Sequence, residues 1–359
     1  MQTILYTKSR LRVKSNFRRI KTKFLERACG YKMRRFGLII LCCGIINSAV
    51  SAQNIINGDM AAKAIVPPKG ETVRIWLEEI DTLPERSSSL EGKKIDIGIR
   101  SYLTDEEVDV FCLLPNIYSA TFVGFYGDGR FASDEAITKL TRLENLRQLR
   151  FICGRSKLTD EAAKMLHSFK KLEALTLVGN FSLEGYASIG KLKQLRELDL
   201  MLTLSTVSDK ELAFLEKLPE LRKLTLTSTS HATVDTGLVL SQFTDDALSR
   251  LQNLNDLEEL VICCDSISGK GLSHLLHLKS LRRLEIHRSP SCFIEDSLRP
   301  RYREFDEIRG NHEPLDDAGM EVLKSLRQLK SLDLCNTGIT DVHSLQQALP
   351  DCQIKTNWK

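Results

Sequence analysis

Between Val108 and Leu334 an aliphatic or aromatic residue falls on every third position, stops, and begins again. Leu272-Leu275-Leu278-Leu281-Leu284-x-Ile286 is the clearest copy, and the stretches Leu212 to Leu226 and Leu248 to Ile262 repeat it. A beat of this kind marks a repeat array, because each unit has an apolar face that only its neighbours can cover. The last apolar residue of each beat serves as a strand marker. The markers are Phe122, Phe151, Leu177, Leu200, Leu226, Ile262, Ile286 and Leu334, at intervals of 29, 26, 23, 26, 36, 24 and 48 residues.

A second marker precedes each helical stretch: Leu103-Thr104-Asp105, Leu158-Thr159-Asp160, Val207-Ser208-Asp209, Phe243-Thr244-Asp245 and Ile339-Thr340-Asp341, with Ser133-Asp134 and Leu315-Asp316 as variants. Thr or Ser caps free N–H groups at a helix start, and Asp in the first turn suits the helix dipole. Thr104 with Glu107 and Ser208 with Glu211 make full capping boxes. Each unit therefore predicts a cap, a helix on a convex side and a short strand on a concave side, with parallel strands roughly 4.8 Å apart.

The unit T-D-x-x-L-x-x-L-x-x-L-x-x-L-x-x-L-x-L resembles the leucine-rich repeat superfamily. It is closest to the ribonuclease-inhibitor-like and cysteine-containing classes and to leucine-rich-repeat proteins exported by bacteria. The resemblance runs from about Ile95 to Ile354 and implies an α/β horseshoe solenoid of about eight to nine repeats. It also implies a surface for binding rather than a catalyst. Ribonuclease inhibition does not follow, since that family's longer alternating units are absent. F-box substrate receptors of ubiquitin ligases carry similar repeats, and an intracellular adaptor of that kind is the alternative reading. Residues 53–95 show no F-box, however: Leu83-Pro84-Glu85 runs into Arg86-Ser87-Ser88-Ser89 with no helical apolar pattern.

The ends divide the chain further. Residues 1–35 hold twelve Lys or Arg and one acid, Glu26; the other 324 residues hold 39 bases and 46 acids. The body is thus mildly acidic, which argues against a nucleic-acid surface. Phe36 to Ile46 is an apolar run behind Arg34-Arg35, and Val50-Ser51-Ala52 ends in small residues. This is the pattern of a secretory signal cleaved after Ala52, too short for a span of ~20 residues. Met33 would serve as an alternative start, and without cleavage residues 36–52 would anchor the chain in a membrane. Residues 53–94 read as a lead-in and N-terminal cap, 95–338 as the array and 339–359 as a capping half-repeat. Beyond the signal seven cysteines remain. Their odd number and repeat-locked spacing argue against a disulfide framework.

Alternate strand positions face solvent on the concave side, giving three rows. The first is Ser119, Gln148, Ala174, Glu197, Lys223, Glu259, Arg283 and Ser331; the second is Thr121, Arg150, Thr176, Asp199, Thr225, Val261, Glu285 and Asp333. The first alternates in sign from Glu197 to Arg283, as a lateral salt-bridge ladder would. The third row begins with Val123, Ile152, Val178 and Met201, read as exposed apolar side chains and so as a protein-binding patch, unless the loop after Gly124 covers them. It continues through Cys263, His287 and Cys335, whose donors suit zinc. No fourth ligand accompanies them, and no metal or cofactor is expected.

The long intervals all gain length between a strand and the next cap. That puts insertions 124–132, 228–242 and 288–314 on one edge, where repeat proteins often build a binding rim. Phe293, Tyr302 and Phe305 in the longest are interface-type anchors, although its extra length also matches one decayed repeat. Gly124 to Gly129 and Gly269-Lys270-Gly271 fail the spacing of phosphate-binding loops. Asn180-Phe181-Ser182 is a glycosylation sequon. No catalytic set emerges. The expected partner is a protein, with an envelope glycan as a further possibility; a hydrolase hidden in the irregular segments is the third hypothesis.

Overall fold

The computed structural model describes residues 72–77, 93–99, 105–114, 116–124, 133–153, 158–178, 181–203, 208–229, 231–233, 237–239, 244–264, 267–287, 315, 317–335 and 337–356, all within one compact unit, Asn54–Lys359. The strands are β1 (Thr72–Leu77), β2 (Lys94–Ile99), β3 (Ile117–Gly124), β4 (Gln148–Cys153), β5 (Ala174–Val178), β6 (Glu197–Thr203), β7 (Lys223–Thr229), β8 (His231–Thr233), β9 (Gly237–Val239), β10 (Glu259–Cys263), β11 (Arg283–His287), β12 (Ser331–Asp333) and β13 (Gln353–Lys355). All but β8 and β9 hydrogen-bond in chain order into one 11-stranded parallel sheet, and those two form a separate antiparallel hairpin. The connecting helices are α1 (Asp105–Phe111), α2 (Asp134–Leu140), α3 (Asp160–Met165), α4 (Leu183–Ile189), α5 (Asp245–Ser249), α6 (Met320–Ser325) and α7 (Val342–Ala348), with 3-10 helices at Glu211–Lys217 and Gly271–His277.

The architecture is an α/β solenoid, one parallel strand per leucine beat with helices on the other face. The beat supplies its core: Leu212, Leu215, Leu218, Leu221 and Leu224 are each at most 1% exposed. In the two regular stretches at Leu212 and Leu272 the segment is 3-10 rather than α. A three-residue apolar spacing matches the 3.0 residues per turn of that helix. In α2 the buried set is Ala136, Ile137 and Leu140, a pattern that suits 3.6 residues per turn.

From cap to first strand residue the count is fifteen for β4 to β7, β10 and β11, as from Ser133 to Gln148, Ser208 to Lys223 and Thr244 to Glu259, and it shortens to thirteen from Thr340 to Gln353. In those central repeats the variation in length falls after the strand. β3 pairs directly with β4, β7 with β10 and β11 with β12, so each insertion leaves from the C-terminal end of a parallel strand, on one edge of the sheet. The direct pairs Arg283↔Ser331 and Glu285↔Asp333 leave no rung between β11 and β12 for a decayed repeat. Residues 288–314, with Phe293, Tyr302 and Phe305, lie outside the described residues, as does most of the 124–132 insertion. β1 pairs in register with β2, extending the sheet to Thr72.

The caps do more than the sequence implies. Ser133, Thr159, Ser182 and Thr244 each accept the N–H two residues on, as N-caps do. The following Asp, expected to serve its own helix dipole, reaches into the next repeat. Asp134 Oδ1 accepts from Thr159 N at 2.7 Å and its Oδ2 from Thr159 Oγ1 at 2.6 Å. Asp160 holds Ser182, Asp209 holds Thr244, Asp245 holds Ser268 and Asp317 holds Thr340 in the same two-pronged way. Gly185 and Gly271 answer this approach, because a Cβ there would stand 2.2 Å from Asp160 Oδ1 and 2.3 Å from Asp245 Oδ1. The column breaks where Leu183 and, further on, Gly269 occupy the Asp position; the first break is the one before Ser208. There Ser208 closes on its own Glu211, its N and Oγ donating to Oε2 at 2.8 and 2.5 Å, which is the glutamate half of the expected capping box, while Ser208 Oγ accepts from Lys210 N rather than Glu211 N. The strands compensate, β6 and β7 pairing two steps further, to Leu202↔Ser228 and Thr203↔Thr229. The N-cap of α7 is Asp341 rather than Thr340, whose groups serve Asp317. The Thr104–Glu107 box lies outside the described residues.

Candidate binding surface on the helix-free face

The register places the three rows as the alternation requires. Ser119, Gln148, Ala174, Glu197, Lys223, Glu259, Arg283 and Ser331 follow one another across adjacent strands, and the second row does so from Thr121 to Asp333. Helices cover the other face, so these rows line the concave face of the expected solenoid.

The apolar start of the third row differs from expectation. Ile152, Val178 and Met201 are not exposed but 4–7% accessible, and they form a small cluster separate from the main core. On neighbouring strands their side chains stand close enough to pack laterally and shed water. Val123 pairs its backbone with Ile152; its side chain is outside the described residues. The third row then passes to Thr227, Cys263 and His287. Cys264 points into the core, and Cys112, Cys263, Cys264, Cys335 and Cys352 form no disulfide. Among the described residues no group of three or more His, Cys, Asp or Glu is placed to hold a metal ion.

The charged ladder exists in part. Lys223 Nζ lies 3.1 Å from Glu259 and 3.9 Å from Glu197 Oε1, while Arg283 turns along its own strand to Glu285, its Nε 2.8 Å from Oε1. Gln148 links Ser119 to Arg150: oriented to satisfy both, its nitrogen donates to Ser119 Oγ at 3.0 Å and its oxygen accepts from Arg150 Nη1 at 3.1 Å. Lys223 thus stands closer to Glu259 than to Glu197, and Arg150 bonds to Gln148 rather than to a carboxylate. Glu197 Oε1 and Asp199 Oδ1 are sealed from solvent and accept no hydrogen bond. Burial pushes the Asp199 carboxyl up to about 6, against the opposing charge of Arg150. Burial likewise raises Glu197 despite Lys223, and lowers Arg150.

A second polar corner is satisfied in part, with His287 Nδ1 buried and making no hydrogen bond. His287 Nε2 is 3.5 Å from Glu285 Oε2 and its Nδ1 3.9 Å from Asp333 Oδ1. Burial opposes ionisation of both Glu285 and His287. The His287 bond and Arg283 nonetheless hold Glu285 at about 2, while Glu285 and Asp333 raise His287 above its ordinary value. The raised His287 stabilises the fold below its ordinary pKa, and that contribution disappears as pH rises through the folded value. Burial and Asp333 push the Cys335 thiol up to about 12, leaving it neutral and a poor nucleophile.

Asp199 gives a test with a definite sign. Its folded pKa lies above its unfolded one, so the folded state takes up the proton first and stability rises as pH falls from 7 toward 4. Part of the residue stays in water, so the charge costs about 1–2 kcal/mol at pH 7.5 rather than the full value of the shift. Asp199→Asn is expected to recover that amount and to flatten the pH dependence between 4 and 7 in urea titrations. A loss of stability at pH 7.5 would show that the carboxylate is well solvated.

No family model matches the chain, and no curated protein matches it. Among solved structures, an internalin C2 from Listeria monocytogenes is 20% identical with a TM-score of 0.39, over 71% of this chain and 84% of that one. A second internalin from the same bacterium is 17% identical with a TM-score of 0.33, over 72% and 89%. The LRR ectodomain of the Arabidopsis receptor kinase HAESA, solved with an extended IDA peptide hormone ligand, is 16% identical with a TM-score of 0.42, over 75% of this chain and 39% of that one.

Proposed function

We propose that this chain is a non-enzymatic, exported scaffold that holds a protein partner against the concave face and the insertion edge. One observation carries the reading: Glu197 and Asp199 present sealed carboxylate oxygens with no donor, beside the apolar cluster of Ile152, Val178 and Met201. A buried acceptor without a partner costs stability, and a surface that keeps one is poised to gain when a partner supplies the donor. The edge from which three insertions leave borders the same face, so a partner would meet both. Export rests on Arg34-Arg35, the apolar Phe36 to Ile46 and the small residues before Gln53.

The test is a cross-linked pull-down of the native protein against two variants, deletion of 288–314 and Glu197→Gln with Asp199→Asn. Both should keep the array's circular dichroism and lose most of the captured partner. Undiminished capture by both would remove this face and edge from the reading. N-terminal sequencing of the native protein tests export separately, with Gln53 expected first and an intact Met1 on a cytosolic protein against it.

A further inference from the structure

The two long edges of the array carry opposite charge. Turns leading from a helix into the next strand (residues 141–147, 166–173, 190–196, 217–222, 250–258, 277–282, 326–330 and 349–352) hold fourteen Lys or Arg against six acids. Helix starts on the other edge (133–136, 158–161, 181–184, 208–211, 244–247, 267–270, 317–321 and 339–342) hold twelve acids against two Lys. Helix dipoles explain the polarity but not its size. Each helix end carries about half a charge, so eight ends offset about four of the excess cations.

The excess is concentrated. On the three consecutive turns before β5, β6 and β7, Lys170, Lys171, Lys191, Lys193 and Lys217 are all exposed, and none makes an ion pair with a described residue. Where they bond, the acceptors are uncharged: Lys170 to His167 O at 3.1 Å, Lys171 to Asn145 Oδ1 at 2.7 Å and Lys193 to Lys217 O at 2.6 Å. The acids among them are taken: Glu173 pairs with Arg147, and Glu220 lies 3.8 Å from Arg196. Rungs stand ~4.8 Å apart, so five uncompensated ammonium groups share a strip about two rungs long. The same turns bury Phe169, Leu172, Leu192, Leu195, Leu218 and Leu221. Among their described residues only the His167 imidazole and Pro219 are exposed besides charged and polar groups, with no exposed Phe, Tyr or Trp to stack a base and no large apolar side chain to enter a bilayer.

We propose that this edge docks a linear anionic polysaccharide, its sulfate or carboxylate groups running along the array axis so that each rung supplies one or two ammonium groups. The site is independent of the concave face and leaves that face free.

Heparin serves as the probe, with the full chain titrated between 50 and 200 mM salt. The variant carries Lys→Gln at 170, 171, 191, 193 and 217; a charge-matched control carries Lys→Gln at 94, 164, 210, 324 and 355. If each lysine releases about one counterion, the patch variant should lower the slope of log K against log salt by about four and weaken binding at least tenfold. The control should keep the native slope within about one. The proposal is overturned if the patch variant binds as the native chain does, or if the control loses as much. Tighter binding to phosphatidylserine vesicles or single-stranded DNA than to heparin at equal salt would overturn it equally, because the edge would then serve a different anion.

Discussion

Asp245→Ala is expected to lower the stability of the array by about 3–4 kcal/mol, measured by equilibrium urea unfolding. Asp245 Oδ1 accepts from Ser268 N at 2.7 Å and its Oδ2 from Ser268 Oγ at 2.5 Å. Ser268 is 7% exposed, so alanine at 245 strands a donor that water cannot easily reach. A hydrogen bond to a charged group contributes about 1.5–3 kcal/mol, and an orphaned buried donor costs about 1–3. Asp134→Ala removes the same two bonds where they are exposed and should cost about 1 kcal/mol, since water replaces the acceptor. A double-mutant cycle between Asp245 and Ser268 should show strong coupling. Equal losses at both sites would mean that the clamp does not act through buried donors. The clamp from Asp317 should also weaken in acid. Donors from Thr340 Oγ1, Thr340 N and Asp341 N hold the Asp317 carboxyl below its usual range, so its contribution is lost as pH falls through that lowered value.

The clamp also marks the limit of what the sequence makes legible. The beat and the Thr-Asp marker read correctly as strand, cap and helix, because each is a local pattern whose period matches its element. The rows on the concave face were legible for the same reason: parallel strands in constant register, with fifteen residues from cap to strand in the central repeats, leave one way to line them up. What Asp does was not legible. An N-terminal Asp suits its own helix and an acceptor for the next repeat equally well, and the second role joins residues 22 to 35 positions apart. Its mark is indirect: glycine at 185 and 271, where the carboxylate of the preceding repeat needs room.

The concave face failed differently. Alternation shows which way Ile152, Val178 and Met201 point, not how much water reaches them, and lateral packing turned an expected exposed patch into a satellite core. The sign pattern of the first row likewise announces a ladder. It does not show that Lys223 goes to Glu259 and Arg150 to Gln148, leaving Glu197 and Asp199 without donors. Charge order follows from sequence, whereas the choice among neighbours at similar distances follows from side-chain geometry. The candidate site is defined by that choice.

Leu226→Ala is expected to cost about 2–5 kcal/mol, the range for a buried leucine truncated where the surroundings only partly collapse. Leu226 is 2% exposed, and its backbone lies between Leu200 on β6 and Ile262 on β10. A cavity there therefore loosens two interfaces. In a one-dimensional array stability is carried by nearest-neighbour terms, so damage to both interfaces of one rung leaves the remote rungs intact. Hydrogen exchange should accordingly quicken in β6, β7 and β10 while β3 and β12 keep their protection near native levels. Met201→Ala offers the contrast. Met201 belongs to the three-residue satellite cluster, so its loss should fall at the low end of the same range and reach mainly Val178. Uniformly faster exchange across all rungs in Leu226→Ala would instead mean that the array unfolds as one cooperative body. The extended pairing of β6 with β7 makes that outcome a real contest: the seven pairs joining these strands reinforce the interface on one side of Leu226, and five join β7 to β10 on the other. The β7–β10 interface should therefore yield first.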